Sequence, residues 1–341
     1  MTARQQLPPT TPAGFVIGIP ALSRGSADRS EDLREPTRIR QEWMRARVLT
    51  LAGNGTVRLD PGTGGLHTTD ALAVADQPPS GAVLLGAVGG VDHWAVRGEV
   101  LDGAGLRQLG ALLPDTDAGL LTTATALLTW HAAAGFCPRC GLPSTPTTAG
   151  WSRICPRGHE EFPRTDPAVI VLVHDGADSI VLARQPIWPA GRVSVLAGFV
   201  EAGESLEGTV VREVFEEIGV QVTDVNYLGS QPWPFPRSLM VGFGARAEPG
   251  APLKPRPGEI EEATWFDRTA VRAMIAAESA AGTDVDRWAS PPATFEPSAS
   301  EPSAAMSSPV PGASDGSVVE VILPGPVSIA RRMIQAWAER G

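Results

Sequence analysis

Three glutamates, Glu213, Glu216 and Glu217, fall within five consecutive residues. On a helix, residues three and four apart are surface neighbours. The spacing therefore stacks Glu213 over Glu217 and sets Glu216 beside them. Like charges so placed repel, so a cation belongs among them. Arg212 is one candidate, by pairing with Glu204 or Glu216, but one guanidinium cannot neutralise the whole set. Hard divalent cations take carboxylate oxygens, and magnesium is usually held by a few carboxylates plus substrate phosphates. Such an ion lowers the pKa of a bound water. A glutamate can then deprotonate or orient that water for in-line attack on phosphorus. A bare E-x2-E-E would more simply be a solvated acidic helix face, so the residues around it must decide.

Those residues predict a positioning helix. Ser205 is placed to cap a helix from about 206 to 218, and Gly219 to end it in a left-handed turn. Leu206, Val210, Val214 and Ile218 form one apolar stripe at helical spacing, with Glu213 and Glu217 at its edge. Gly208 is a poor interior residue, costing about 1 kcal/mol against Ala. Strands are expected at 168–175 and 179–184 before this helix, and near 225–229 and 239–246 after it.

Residues 198–220 read GFVEAGESLEGTVVREVFEEIGV, with Gly198, Glu204, Arg212, Glu213, Glu216, Glu217 and Gly219 at fixed offsets. The pattern G-x5-E-x7-R-E-[apolar]-x-E-E-x-G-[apolar] resembles the signature of the Nudix hydrolases, which split nucleoside diphosphates linked to another group. With both glycines, Glu204 and Arg212 in place, the acidic-face reading retains little weight.

A second constellation lies upstream. Cys137 and Cys140 form a C-x2-C knuckle, and Cys155 and His159 complete C-x2-C-x14-C-x3-H. A ribbon of four cysteines would have another near Gly158, and this chain has none there. Zinc accepts three thiolates and one imidazole tetrahedrally, so one structural zinc is expected on Cys137, Cys140, Cys155 and His159. A ribbon that has lost its metal is the alternative.

The third motif is SQPWPFPRS at 230–238. Its three prolines stiffen the backbone. Trp233 and Phe235 offer flat faces for a base or nicotinamide ring, and Ser230, Gln231 and Ser238 offer hydrogen bonds. This segment is similar to the marker of the NAD(H) pyrophosphatases within the Nudix family. GW at 150–151, FPRTDPAV at 162–169, LLTWHAAAGFCPRCG before the ribbon and SIARRMI near the C-terminus resemble the same branch. The likeness runs from about Leu106 onward, apart from an insertion, and is loose before it.

The resemblance implies a homodimer with a Nudix α/β/α sandwich, a zinc ribbon and a variable N-terminal domain. It implies hydrolysis of NADH or NAD to AMP and the nicotinamide mononucleotide with Mg²⁺ or Mn²⁺, and removal of NAD caps from RNA 5′ ends. Carried over residue by residue, the metal set falls on Glu213, Glu216, Glu217 and the Ala197 carbonyl. Glu217 is the catalytic glutamate, and Glu259 is a further ligand, with Glu261 and Glu262 near enough to compete. Phe199 and Phe162 are implied to stack on nicotinamide, Phe162 across the dimer. Gln231, Pro232, Trp233, Pro234, Phe235, Pro236, Arg237 and Ser238 line the substrate site, Ala330 closes it, and Arg107 matches a basic substrate contact. Two other readings stand beside this one. One is a Nudix pyrophosphatase of ADP-ribose or another dinucleotide. The other is a non-catalytic zinc-ribbon protein that binds RNA or regulates.

The whole chain frames these sites. Its 341 residues carry a net charge of −10, which argues against a broad basic face for duplex DNA. No basic segment with an apolar run opens it, and no apolar stretch approaches the ~20 residues of a membrane span. Three cysteines make no disulfide framework. A cytoplasmic α+β protein is expected. Its parts would be a disordered 1–13, a β-rich then helical domain at 14–133, a ribbon at 134–162 and a Nudix domain at 163–341. The Ala-, Ser- and Pro-rich 277–318 reads as a disordered insertion, and the helix after it should dock on the core.

Overall fold

In a computed structural model, residues 15–281 and 321–340 are described. The expected disorder at 1–13 and most of the 277–318 insertion lie outside them. Residues 277–281 do not: they form the last residues of a helix, so the insertion begins later than its composition suggests.

The N-terminal unit is built on β1 (Arg47–Leu51), β2 (Thr68–Asp70), β3 (Val83–Val88) and β4 (Val91–Arg97), in the order β2-β1-β4-β3. The β1–β4 pair is parallel and the others antiparallel. Helix α1 (Asp115–Ala133) buries Leu120, Leu121, Leu127 and Leu128 against Leu49, Leu51 and Leu85. Its buried Thr122, Thr123 and Thr125 each donate a hydroxyl to the carbonyl four residues back, which satisfies them inside an apolar interface. The helical part of the expected 14–133 domain is divided, with a short helix Leu106–Leu109 ahead of α1 and Pro114 at the α1 cap.

Three short antiparallel strands make the ribbon: β5 (Thr145–Thr147), β6 (Ser152–Ile154) and β7 (Glu160–Glu161). Arg153 ties it to α1 by approaching His131 Nδ1 at 2.9 Å, while donating to Ser144 Oγ within the ribbon segment at 2.9 Å.

The third unit contains β8 (Asp166–His174), β9 (Ser179–Arg184), β10 (Leu196–Phe199), α2 (Leu206–Ile218), β11 (Val222–Trp233), β12 (Ser238–Ala247), β13 (Glu262–Asp267), α3 (Arg268–Ala281) and α4 (Ile329–Glu339). The sheet order is β11-β12-β8-β9-β13, with β10 also paired to β8. Successive side chains of a strand point to opposite faces, and β8 uses both. Val169, Val171 and Val173 meet Val210, Val214 and Ile218 of α2. Ile170 and Leu172 meet Met333, Ile334 and Trp337 of α4, with Val271 of α3. The result is the expected α/β/α sandwich. Strands β10 and β13 and helix α3 are additions to the sequence reading.

Two contacts join distant segments to this sandwich. Phe15 and Ile17 enter the α4 layer, and Arg332 Nε donates to the Ile17 carbonyl at 3.1 Å. Residues assigned by sequence to the first domain thus complete the core of the last. Across the insertion, buried Glu278 of α3 accepts from the Leu323 amide at 2.7 Å and pairs with Arg331 of α4. Among the described residues, no helix is long and apolar enough to cross a membrane.

Candidate active site

Helix α2 forms as its sequence dictates. Ser205 Oγ accepts from the Gly208 amide at 3.1 Å, so the weak helix former supplies the capped donor. Gly219 ends the helix at φ 71°. Val210, Val214 and Ile218 are fully buried, and this fixes which flank carries the acids.

Arg212 is the hub of the charged side. Its Nε and Nη2 grip Glu204 at 2.6 and 2.8 Å, and Nη2 also donates to the Phe199 carbonyl at 3.0 Å. Nη1 reaches Glu213 Oε1 at 3.0 Å and Glu216 Oε2 at 3.1 Å. Glu204 further accepts from the Glu201 amide and Thr209 Oγ1. The Arg212 bonds, followed by these, hold its carboxyl down at about 2. Glu204 and Arg212 thus form a brace between the loop after β10 and α2.

Glu217 has the opposite environment. It is only 6% exposed, and its Oε2 has no hydrogen-bond partner. Burial first, then the charges of Glu213 and Glu259, push its carboxyl up to about 8. Burial also raises Glu213, although Arg212 opposes it. A buried, unsatisfied carboxylate is costly, and a divalent cation would relieve it.

Strand β10 supplies the facing wall. The Val200 amide donates to Pro167, and antiparallel pairing alternates bonded and unbonded residues. With Ala197 opposite Ile170 in the register, its backbone turns away from β8. Its amide accordingly donates to the Glu217 carboxylate, and its carbonyl shares that outward side. At Gly198 a Cβ would overlap the Glu213 carboxyl, which is why the fixed pattern has glycine there.

The segment after β12 closes the other flank. The Lys254 and Arg256 amides donate to the carbonyls of Ile218 and Glu217 at 2.8 and 2.9 Å. Arg256 Nη1 then lies 3.8 Å from Glu216 and 3.6 Å from Glu259. Of the three competing acids, Glu261 and Glu262 both pair with Arg184, at 2.8 and 3.5 Å. Glu259 is left as the one whose charge reaches Glu213 and Glu217. The orphaned Glu217 oxygen, the side-chain-free approach at Gly198 and the oxygen-only donor set fit a hard divalent cation held by Glu213, Glu216, Glu217, Glu259 and the Ala197 carbonyl.

A cleft of about 180 Å³ opens beside this cluster. Of the expected site residues, Ala197, Glu217, Trp233 and Ala330 line it. The rest of 231–238 divides into separate roles. Gln231 is fully buried, accepting from the Leu22 amide at 3.4 Å and donating to the Val327 carbonyl at 3.1 Å. It clamps three segments and presents nothing to the cleft. Arg237 pairs with Asp166 at 2.7 Å, Pro234 and Ser238 are buried, Pro232 is half-buried and Pro236 exposed. Phe235 meets Trp233 edge-to-face at 5.0 Å, and Arg107 lies 4.0 Å over its ring. Phe162 and Phe199 are 67% and 40% exposed, outside the cleft lining. Sequence reasoning missed Gln185 and Trp188 of the lining. The Trp-Pro pair at 188–189 was their available signal.

The ribbon gathers its four expected ligands. Cys140 Sγ and Cys155 Sγ are 3.7 Å apart, Cys137 Sγ and His159 Nδ1 3.5 Å, and all four ligand atoms lie within 4.8 Å of one another. Two thiolates on a tetrahedral zinc at ~2.3 Å stand about 3.8 Å apart, so the spacing fits. Gly158 occupies the position of the missing cysteine at φ 76°, and the Gly158 amide bonds the Cys155 carbonyl at 2.8 Å. That tight turn lets the longer imidazole, one residue on, reach the same point.

Comparison with known proteins agrees with this geometry. The NUDIX domain model matches residues 164–285. The NAD-capped RNA hydrolase NudC of Mycobacterium bovis is 45% identical over 332 residues, 94% of this chain and 95% of that protein. The protein of the same name from Deinococcus radiodurans is 39% identical over 221 residues, 64% of this chain and 71% of its own. The mouse mitochondrial NAD(P)H pyrophosphatase NUDT13 is 36% identical over 237 residues, 69% of this chain and 58% of its own. The chain therefore belongs to the Nudix hydrolases. Within them it stands in the NudC-type branch, and the first match includes the N-terminal unit that the motifs alone left only loosely related.

Proposed function

We propose that this enzyme hydrolyses the pyrophosphate of NADH or NAD to the nicotinamide mononucleotide and AMP, and removes NAD caps from RNA 5′ ends by cutting the same bond. The observation that carries the reading is Glu217, a buried carboxylate with an unpartnered oxygen on the wall of a cleft that also holds Trp233. The names of the relatives, NAD-capped RNA hydrolase and NAD(P)H pyrophosphatase, support the substrate class.

Glu213, Glu216, Glu217, Glu259 and the Ala197 carbonyl would hold Mg²⁺ or Mn²⁺, which would supply charge neutralisation at phosphorus and a more acidic water. Glu217 would take a proton from, or orient, the attacking water, with the Ala197 amide fixing the carboxylate. Arg212 and Glu204 hold α2 against the loop after β10. Trp233 offers a face to a base or nicotinamide ring. The ribbon holds one structural Zn²⁺ per chain, the assembly is a homodimer in the cytoplasm, and Phe199 and Phe162 stack on nicotinamide, Phe162 across the dimer.

The test is product release. NADH with Mg²⁺ or Mn²⁺ should yield AMP and NMNH, and Glu217→Gln should lose 10²–10⁴-fold, the usual contribution of such a group. A loss below tenfold would remove Glu217 from its role. A preference for ADP-ribose over NADH would place the enzyme with the other dinucleotide pyrophosphatases, and tight binding of capped RNA without product would make it a binder.

A further inference from the structure

Two arginines at the cleft rim differ from those around them. Arg212, Arg184, Arg237 and Arg256 are all paired with carboxylates. Arg107 and Arg192 are not: among the described residues, no carboxylate or carbonyl is paired with either side chain. Each lies on aromatic rings instead. Arg107 is 4.0 Å over Phe235 and 5.2 Å over Trp233, and Arg192 is 5.8 Å over Trp188. Trp188 and Trp233 line the cleft that contains Glu217. Burial first, then the charge of Arg192, lowers Arg107 from its ordinary value. The backbone at 191–193 is itself fixed, with Ile322 bonded to Gly191 and Val193 on either side of Arg192.

Aromatic stacking covers the face of a guanidinium and leaves its N–H edge open, the edge that matches phosphate in a bidentate bond. Two cations on the rings of one cleft disfavour each other, and an anion between them relieves this. The chain carries a net charge of −10, so a polyanionic substrate needs local cations to approach. The scissile pyrophosphate belongs at the acidic cluster, where a divalent cation would meet it. An anion site on the aromatic wall is therefore left for another phosphate of the same molecule.

We propose that Arg192, together with Arg107, binds a substrate phosphate outside the scissile pyrophosphate, namely the first phosphodiester of an NAD-capped RNA. The inference rests on the pyrophosphatase reading above. It makes Arg192 a specificity residue that separates capped RNA from the free dinucleotide.

The experiment compares kcat/KM for NAD-capped RNA, NADPH and NADH in the parent enzyme, Arg192→Ala and Arg192→Lys. For Arg192→Ala the ratio of capped RNA to NADH should fall about tenfold, through KM, as expected for one lost charge-assisted contact. The salt dependence of capped-RNA binding should flatten by about one phosphate contact. Arg192→Lys should recover part of both. A fall confined to NADPH would assign the site to a ribose 2′-phosphate and overturn the RNA assignment. An equal loss on all three substrates would place Arg192 on the pyrophosphate and overturn it as well. Failure of the parent enzyme to cut NADH would sink the pyrophosphatase reading instead. In that case the affinity of Glu217→Gln for capped RNA, with and without Arg192→Ala, still decides the inference, and an unchanged affinity would refute it.

Discussion

The ribbon and the acidic flank of α2 both gather groups that bind cations, and they do so by opposite means. The ribbon's four ligands come from two short turns within 23 residues, and their atoms all lie within 4.8 Å of one another. Cys137 and Cys155 are buried, and Cys140 and His159 are half-buried. The acidic cluster draws on α2, the β10 backbone and the segment after β12, and its members are graded. Glu217 is buried with one oxygen unpartnered, Glu213 is largely covered, and Glu216 and Glu259 are 41% and 53% exposed beside Arg256. A compact, closed set suits a structural ion; an open, spread set leaves positions for water and substrate.

The sharpest way to break the contrast is at its most unequal member. Glu217→Gln should cost 10²–10⁴-fold in turnover of NADH and should also shrink the rise in melting temperature on adding Mn²⁺ to the chelator-treated protein. A variant that keeps the full thermal shift would mean that Glu217 is no ligand. Gly198→Ala tests the wall opposite. Its methyl displaces the Glu213 carboxyl, and a displacement of about 1 Å near a reacting centre costs on the order of 10²-fold. Circular dichroism should be unchanged, and near-parental turnover would show that Glu213 has other room.

Cys155→Ser probes the closed set. Native mass spectrometry should show its zinc lost, because no ligand there is spare, while turnover should suffer less than in Gly198→Ala, since the ribbon lies outside the acidic cluster. Retention of zinc by this variant would contradict a four-ligand closed site. The smallest effect is at the brace. Glu204 has its pKa held at about 2, so it contributes stability above its ordinary range near 4.5 and loses it as pH falls toward 2. Glu204→Gln should cost about 2 kcal/mol at neutral pH, and its stability should converge on the parent's in acid. Parallel pH curves would deny the Glu204–Arg212 pair that role.

How much of this was legible depended on range. Helix α2, its Ser205 cap, its Gly219 stop and its apolar stripe follow from residues within one or two turns, and the structure has them as read. The ribbon's ligand set was equally local. Strand β10 is four residues long, too short for a periodicity, and only its pairing with β8 defines it. Strand β13 begins with Glu262, whose charge hides it until Arg184 is seen across the sheet. Gln231 read as a cleft residue from its neighbours, yet its partners, Leu22 and Val327, lie 209 and 96 residues away. The choice among Glu259, Glu261 and Glu262 could not be made from spacing. Arg184, far upstream, pairs with two of them and leaves Glu259 beside Arg256.

The α4 layer, where Phe15 and Ile17 meet Met333, Ile334 and Trp337, carries a consequence for the order of events during synthesis. The Ile17–Arg332 bond spans 315 residues. Phe15 and Ile17 leave the ribosome among the earliest residues of the sandwich's core, and the helix that covers them is among the last. The ribbon can close as it emerges, from contiguous chain, and the N-terminal unit can close apart from Val327, which joins its core from beyond the insertion. The catalytic sandwich cannot: its sheet must wait, one face bare, until α4 arrives. Nascent chains halted before residue 329 should therefore hold a folded ribbon and an open hydrolase, and should recruit chaperones that completed chains do not.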